Sequence, residues 1–220
     1  MNACYLGIDP TNSERRPSAW ATLDDDAHVL SIGAASSNGD ILALAERWRP
    51  AAGVRGHRRT AAVGLTSLDD PVAARGLPTG RTCERELKRL GIGCFYTTPN
   101  SIIKLMVYRS IVWRQNLEAR GILVLEVYPY ASKRRMFGNC PMPKKASSSG
   151  RAWLQTSLLP FIPDLAGSPP LSHDTLDALI AAYTGLLHAR GQAQGMGCAE
   201  EGLLWIPLIS TAAPGSGACN

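Results

Sequence analysis

The stretch Ala3-Cys4-Tyr5-Leu6-Gly7-Ile8-Asp9-Pro10 constrains the fold more than any other. Small and apolar side chains precede Asp9 with no polar alternation, the pattern of a strand buried on both faces of a covered sheet. Pro10 has no amide hydrogen to give a ladder, so the strand ends there. Asp9 therefore stands at the carboxyl end of a first strand, where open α/β sheets bind their ligands. The same residue in isolation also suits a turn or a helix cap. What decides between these is whether other carboxylates converge on it.

The chain has 220 residues, 45% of them hydrophobic, enough for one full-sized core. No apolar run reaches the roughly 18 residues of a spanning helix. No basic segment followed by a long apolar one opens the chain, so a cytoplasmic protein is expected. Six cysteines are scattered without a C-x-x-C pair. That spacing fits neither zinc nor a small disulfide scaffold, and reduced thiols are expected. The formal charge of +5 is compatible with an anionic partner but too mild to name one.

Further strands are expected at Ala19–Leu23 and His28–Gly33, joined by a short polar turn as an antiparallel hairpin. Thr60–Thr66 reads as a fourth strand. Ile122–Pro129 is the clearest strand, an apolar run interrupted by Glu126. An isolated buried charge is costly, so Glu126 must pair, bind metal or face a cleft. The short apolar run Gly202–Pro207 follows near the end.

Helices are expected at Asp40–Trp48 with Asp40 as cap, Arg81–Leu90, Ser101–Arg120, Ala131–Met136, Arg151–Phe161 and from His173 to about Arg190. For the third of these the inward residues are read as Ile102, Leu105, Met106, Ile111, Val112 and Leu117. Residues 1–209 form one domain in this reading, and 210–220, rich in Gly, Ala and Ser, a disordered tail.

Asp174 and Asp177 lie three apart, so they share a helix face near its start. Acids there also complement the helix dipole. The dipole does not account for the small, apolar Ala178-Leu179-Ile180-Ala181-Ala182 that follows. That run marks a buried helix with Asp177 at the edge of the core. The order of strands, helices and acids is the one expected of a ribonuclease H-like fold, a mixed five-stranded sheet flanked by helices. Such sites gather acids around two divalent ions for in-line phosphodiester hydrolysis. Oxygen ligands without a Cys or His set suit magnesium or manganese.

Five segments carry a resemblance to a known family: Gly7-Ile8-Asp9, Gly80–Leu87, Glu126-Val127-Tyr128-Pro129, His173–Ala182 and Glu201–Pro207. Together they resemble domain of unknown function family 429, described as predicted nucleases of ribonuclease H-like fold. The paired Asp174 and Asp177 also look like the last-helix acids of RuvC-type resolvases. The resemblance implies a metal-dependent nuclease acting on DNA or RNA. Asp9, Glu126, Asp174 and Asp177 would be its catalytic acids, with magnesium or manganese on Asp9, Glu126 and Asp177. Arg81, Arg85, Lys133 and Arg134 would meet phosphates.

One departure concerns the fourth strand, where the family carries an aspartate and this chain has Thr66. Asp69 and Asp70 follow three and four residues on and are the candidates to compensate. Without them the chain reads as a weakened binding module on the same fold. An actin-like phosphotransferase is disfavoured by the lack of Gly-rich phosphate loops. A Ser/His/Asp hydrolase is disfavoured by the lack of a nucleophile elbow.

Overall fold

The computed structural model describes residues 3–48, 60–64, 80–97, 101–138 and 140–208, with the backbone alone for 60–64. The expectations for Thr66, Asp69, Asp70 and the tail 210–220 fall outside the described residues. So does the fourth strand beyond Gly64.

Seven strands form one mixed sheet: β1 (Tyr5–Asp9), β2 (Ser18–Leu23), β3 (Val29–Ala35), β4 (Thr60–Gly64), β5 (Leu123–Val127), β6 (Ala193–Met196) and β7 (Leu204–Pro207). Their order is β3-β2-β1-β4-β5-β7-β6. The expected hairpin is present, β2 pairing antiparallel with both β1 and β3. β4 lies parallel to β1 and β5, and joins two three-stranded parts. This corrects the expected five strands. β6, an Ala-Gln-Gly-Met segment between glycines, adds an antiparallel edge on β7.

Among the described residues, six helices cover the sheet: α1 (Asn38–Arg47), α2 (Thr82–Arg89), α3 (Lys104–Glu118), α4 (Pro129–Phe137), α5 (Ser148–Leu158) and α6 (His173–Ala189). Ser37, not Asp40, caps α1; Asp40 reaches back to the Ser37 amide to close a capping box. Ser172 caps α6 by accepting from the Thr175 amide. Among the described residues, no helix is long and apolar enough to cross a membrane.

Strand alternation divides the core into two layers. On one face Leu6, Ile8 and Val124 meet Ile41, Trp113 and Leu117 of α1 and α3. On the other, Tyr5 meets Leu186, and Leu125 and Val127 meet Ala181, all under α6. α5 packs outside α6 through Leu154 and Leu158.

The inward face of α3 differs from the expected one. Val107, Arg109, Ser110, Trp113 and Leu117 are buried, while Ile102, Leu105 and Val112 are exposed. Arg109 holds this orientation. Its guanidinium donates to Asn38 Oδ1 and to the Ser13, Thr11 and Ser36 carbonyls, tying α3 to the loop after Asp9. Of the cysteines, Cys4, Cys83, Cys94 and Cys198 are free as expected. Cys140 is disulfide-bonded and departs from that expectation.

Candidate active site

Gly7 and Asp9 share the face of β1 that looks toward α6, since side chains alternate along a strand. A β-carbon on Gly7 would meet the Ala178 carbonyl oxygen at 2.0 Å and the Ala182 amide nitrogen at 2.3 Å. The helix thus lies directly on the strand backbone. Two residues along β1 is about 6.6 Å, and one turn back along α6 is about 6 Å. Asp174 precedes Ala178 by four residues, so the two steps match. Asp174 stands close enough to Asp9 for its charge to raise the Asp9 pKa, and both line the same cleft.

These carboxyls open into a cleft of about 600 Å³ at the carboxyl ends of β1 and β5 and the start of α6. Burial raises the Asp9 pKa well above 3.8, and the charges of Asp177 and Asp174 raise it further. Lys145 opposes that rise. His173 Nδ1 lies 2.7 Å from Asp174 Oδ1, and Arg16 Nη2 approaches Asp174 at 3.9 Å. Asp177 is buried between two ammonium groups. Lys133, itself buried on α4, donates to Oδ1 at 2.8 Å, and the exposed Lys145 stands 3.6 Å from Oδ2.

Glu126 also borders the cleft, but it is committed elsewhere. In the β1–β4–β5 register, Ile8 aligns with Val63 and Val63 with Glu126. Glu126 therefore shares the sheet face of Ile8 and Val124, opposite to that of Asp9. It meets Arg81 in a bidentate pair, at 2.7 Å from Nη1 to Oε1 and 2.8 Å from Nη2 to Oε2. Arg81 is fully buried and also donates to the Gly202 carbonyl. The Thr82 amide donates to Glu201 at 2.6 Å. Three segments far apart in sequence are thus stapled at the start of α2.

This corrects two expectations. Arg81 has no face toward the cleft with which to meet a phosphate; it neutralises Glu126. Glu126 has both carboxylate oxygens engaged and is not a ready metal ligand. Arg85 is likewise turned inward, donating to the Gly80 carbonyl and Thr82 Oγ1. Lys133 does stand in the cleft, held by Asp177. Arg134 is half-buried on α4 and does not line the cleft.

Among the described residues, no three His, Cys, Asp or Glu side chains form a ready-made metal cluster. A divalent cation still fits the Asp9–Asp174 pair. Magnesium needs only one or two carboxylates, completing its shell with water and substrate phosphate. Neighbouring carboxyls that repel each other are relieved of that repulsion by a cation.

Sequence reasoning missed Arg16, Phe95 and Tyr130, which line the same cleft. Arg16 and Phe95 lie in loops, where no periodicity marks an inward side chain. Tyr130 directly follows the strand-ending proline, which hid its place in the first turn of α4.

No protein-family model matches the chain, and no curated protein matches it. Among solved structures, it is similar to Thermus thermophilus RuvC at 14% identity and a TM-score of 0.47, covering 86% of this chain and 96% of that one. It is similar to the same protein in complex with Holliday junction substrate at 14% identity and a TM-score of 0.46, with the same coverage.

Proposed function

We propose that this chain is a divalent-metal-dependent nuclease that hydrolyses phosphodiester bonds at the Asp9 end of its sheet. The observation that carries this reading is the convergence of Asp9, Asp174 and Asp177 on one open cleft at the strand ends. The β3-β2-β1-β4-β5 part of the sheet, with α6 laid across β1, supports a ribonuclease H-like fold. It agrees with the nuclease family that the sequence motifs resemble.

Asp9 and Asp174 would hold magnesium or manganese, with Asp177 adding negative charge behind them. The chemistry such an ion would supply is Lewis-acid polarisation of a phosphoryl oxygen and a lowered pKa for water. Lys133 fixes the Asp177 carboxylate through its 2.8 Å contact. Lys145 and Arg16 stand at the mouth, where cations balance the phosphate backbone. Glu126 borders the cleft, and its pair with Arg81 holds α2 against β5. The second metal of a two-metal mechanism needs a further carboxylate, and Asp69 and Asp70 are the candidates.

A second reading, a binding module with little catalysis, is favoured by one observation. Glu126 and Asp177 both carry a lysine or arginine counter-ion already. Cleavage of labelled single- and double-stranded DNA and RNA, with magnesium, manganese or EDTA, separates the two. The nuclease reading expects metal-dependent products that Asp9→Asn abolishes. Binding without cleavage under every metal would leave the module.

A further inference from the structure

The cleft has two kinds of lining. One is ionic: Asp9, Asp174 and Asp177 with Lys133, Lys145 and Arg16. The other is apolar and aromatic, and carries no part of the chemistry above. Phe95 is 61% exposed and Ile102 79% exposed, and both line the cleft. Tyr130 is 39% exposed on the same cleft and pairs with Tyr128, centroids 5.9 Å apart and planes tilted by 53°.

Large apolar rings left in water cost free energy unless something covers them. The charge beside them says what does. Tyr130 and Lys133 are three residues apart on α4, hence on one helix face with β-carbons about 5–6 Å apart. A ring and an ammonium-bearing side chain thus line the same cleft from neighbouring positions on one helix. That pairing suits a nucleotide, whose base offers a flat π face and whose phosphate offers the anion. A paired duplex hides its base faces within its own stack, whereas an unpaired strand exposes them. Neither a lipid nor an ordinary peptide repeats a planar ring and an anion at this spacing.

We propose that Phe95 and Tyr130 form a base-stacking wall, and that the site takes an unpaired strand of nucleic acid, with the base on the rings and its phosphate toward Lys133 and Lys145. This deepens the nuclease reading and rests on it for the identity of the polymer. Stacking on one aromatic residue is worth about 1–3 kcal/mol, or roughly five- to 150-fold in affinity.

The test is fluorescence anisotropy with a short labelled single-stranded DNA, the matching RNA and the blunt duplex, in EDTA so that nothing is cleaved. Wild type should bind the single strands at least about tenfold more tightly than the duplex. Phe95→Ala/Tyr130→Ala should lose at least about tenfold on single strands and little on duplex, while Phe95→Trp should retain the preference. Both rings are solvent-facing, and a thermal melt of each variant checks that the fold is kept. Equal binding of strand and duplex by wild type, or an unchanged double-alanine variant, would overturn the stacking wall. Strand-selective binding with no cleavage under any metal would sink the nuclease reading and leave the wall standing. Equal binding of strand and duplex together with metal-dependent cleavage would do the reverse.

Discussion

Gly7 and Ala178 are in backbone contact, so close that any β-carbon on Gly7 would lie 2.0 Å from the Ala178 carbonyl oxygen. The obstacle is backbone on both sides, and no flexible side chain can move aside. This contact sets how α6 sits on β1 and therefore where Asp174 stands relative to Asp9. Gly7→Ala should destabilise the protein by about 1–3 kcal/mol or more, as overpacking does, read by urea denaturation. It should also weaken magnesium binding, because α6 must retreat with its acids.

Asp9 governs a pH dependence. Burial and the neighbouring Asp177 and Asp174 raise its folded pKa well above 3.8. A carboxyl raised on folding binds its proton more tightly in the native state. Its contribution to stability is therefore full below about pH 4 and lost as pH rises through the folded pKa. In metal-free buffer, wild type should lose stability relative to Asp9→Asn across that interval. Parallel melting curves for the two proteins from pH 4 to 8 would remove Asp9 from the account.

Magnesium should reverse this loss. A ligand that binds only the folded state stabilises it by mass action. The wild-type melting temperature should climb with magnesium concentration, and Asp9→Asn should flatten the climb. Equal rises in both proteins would place the ion elsewhere.

Arg81 and Glu126 give a stability prediction of a different kind. Removing one partner of a buried ion pair strands the other charge and costs about 3–5 kcal/mol. Arg81→Met and Glu126→Gln should each approach that loss. Arg81→Met/Glu126→Leu should recover most of it, since an apolar pair of similar volume often replaces such a bridge without loss. Additive losses in a denaturation double-mutant cycle would contradict a direct coupling.

Lys145 competes with the cation. It is 60% exposed and stands 3.6 Å from Asp177. Exposed pairs of this kind are worth about 0.2–1 kcal/mol. Lys145→Ala should therefore tighten magnesium binding by up to about fivefold in a calorimetric titration.

Much of this architecture was legible in the sequence. The apolar run ending at Asp9, the hairpin after it, the Ile122–Pro129 strand and the buried helix behind Asp174 and Asp177 all carry local patterns. Solvent and core impose those patterns directly on neighbouring residues. The Arg81–Glu126 pair was not legible, because its partners are 45 residues apart and nothing local records which charge a buried glutamate meets. The face of α3 was misread for a related reason. Arg109 is buried through hydrogen bonds to backbone carbonyls, so a charged residue occupies the inward stripe and apolar ones point outward. β6 was missed because Ala193-Gln194-Gly195-Met196 has little strand character of its own and is held by its pairing with β7. The alternation that puts Asp9 and Glu126 on opposite faces follows from strand register, which no single strand reveals.

Asp177 carries one fixed counter-ion and one removable one. Lys133 reaches it from α4 and is buried, whereas Lys145 reaches it from a loop and is exposed. Lys145 also lowers the Asp9 pKa, so its charge bears on both acids. The charge beside Asp9 is thus balanced by one cation that the solvent reaches and one that it does not.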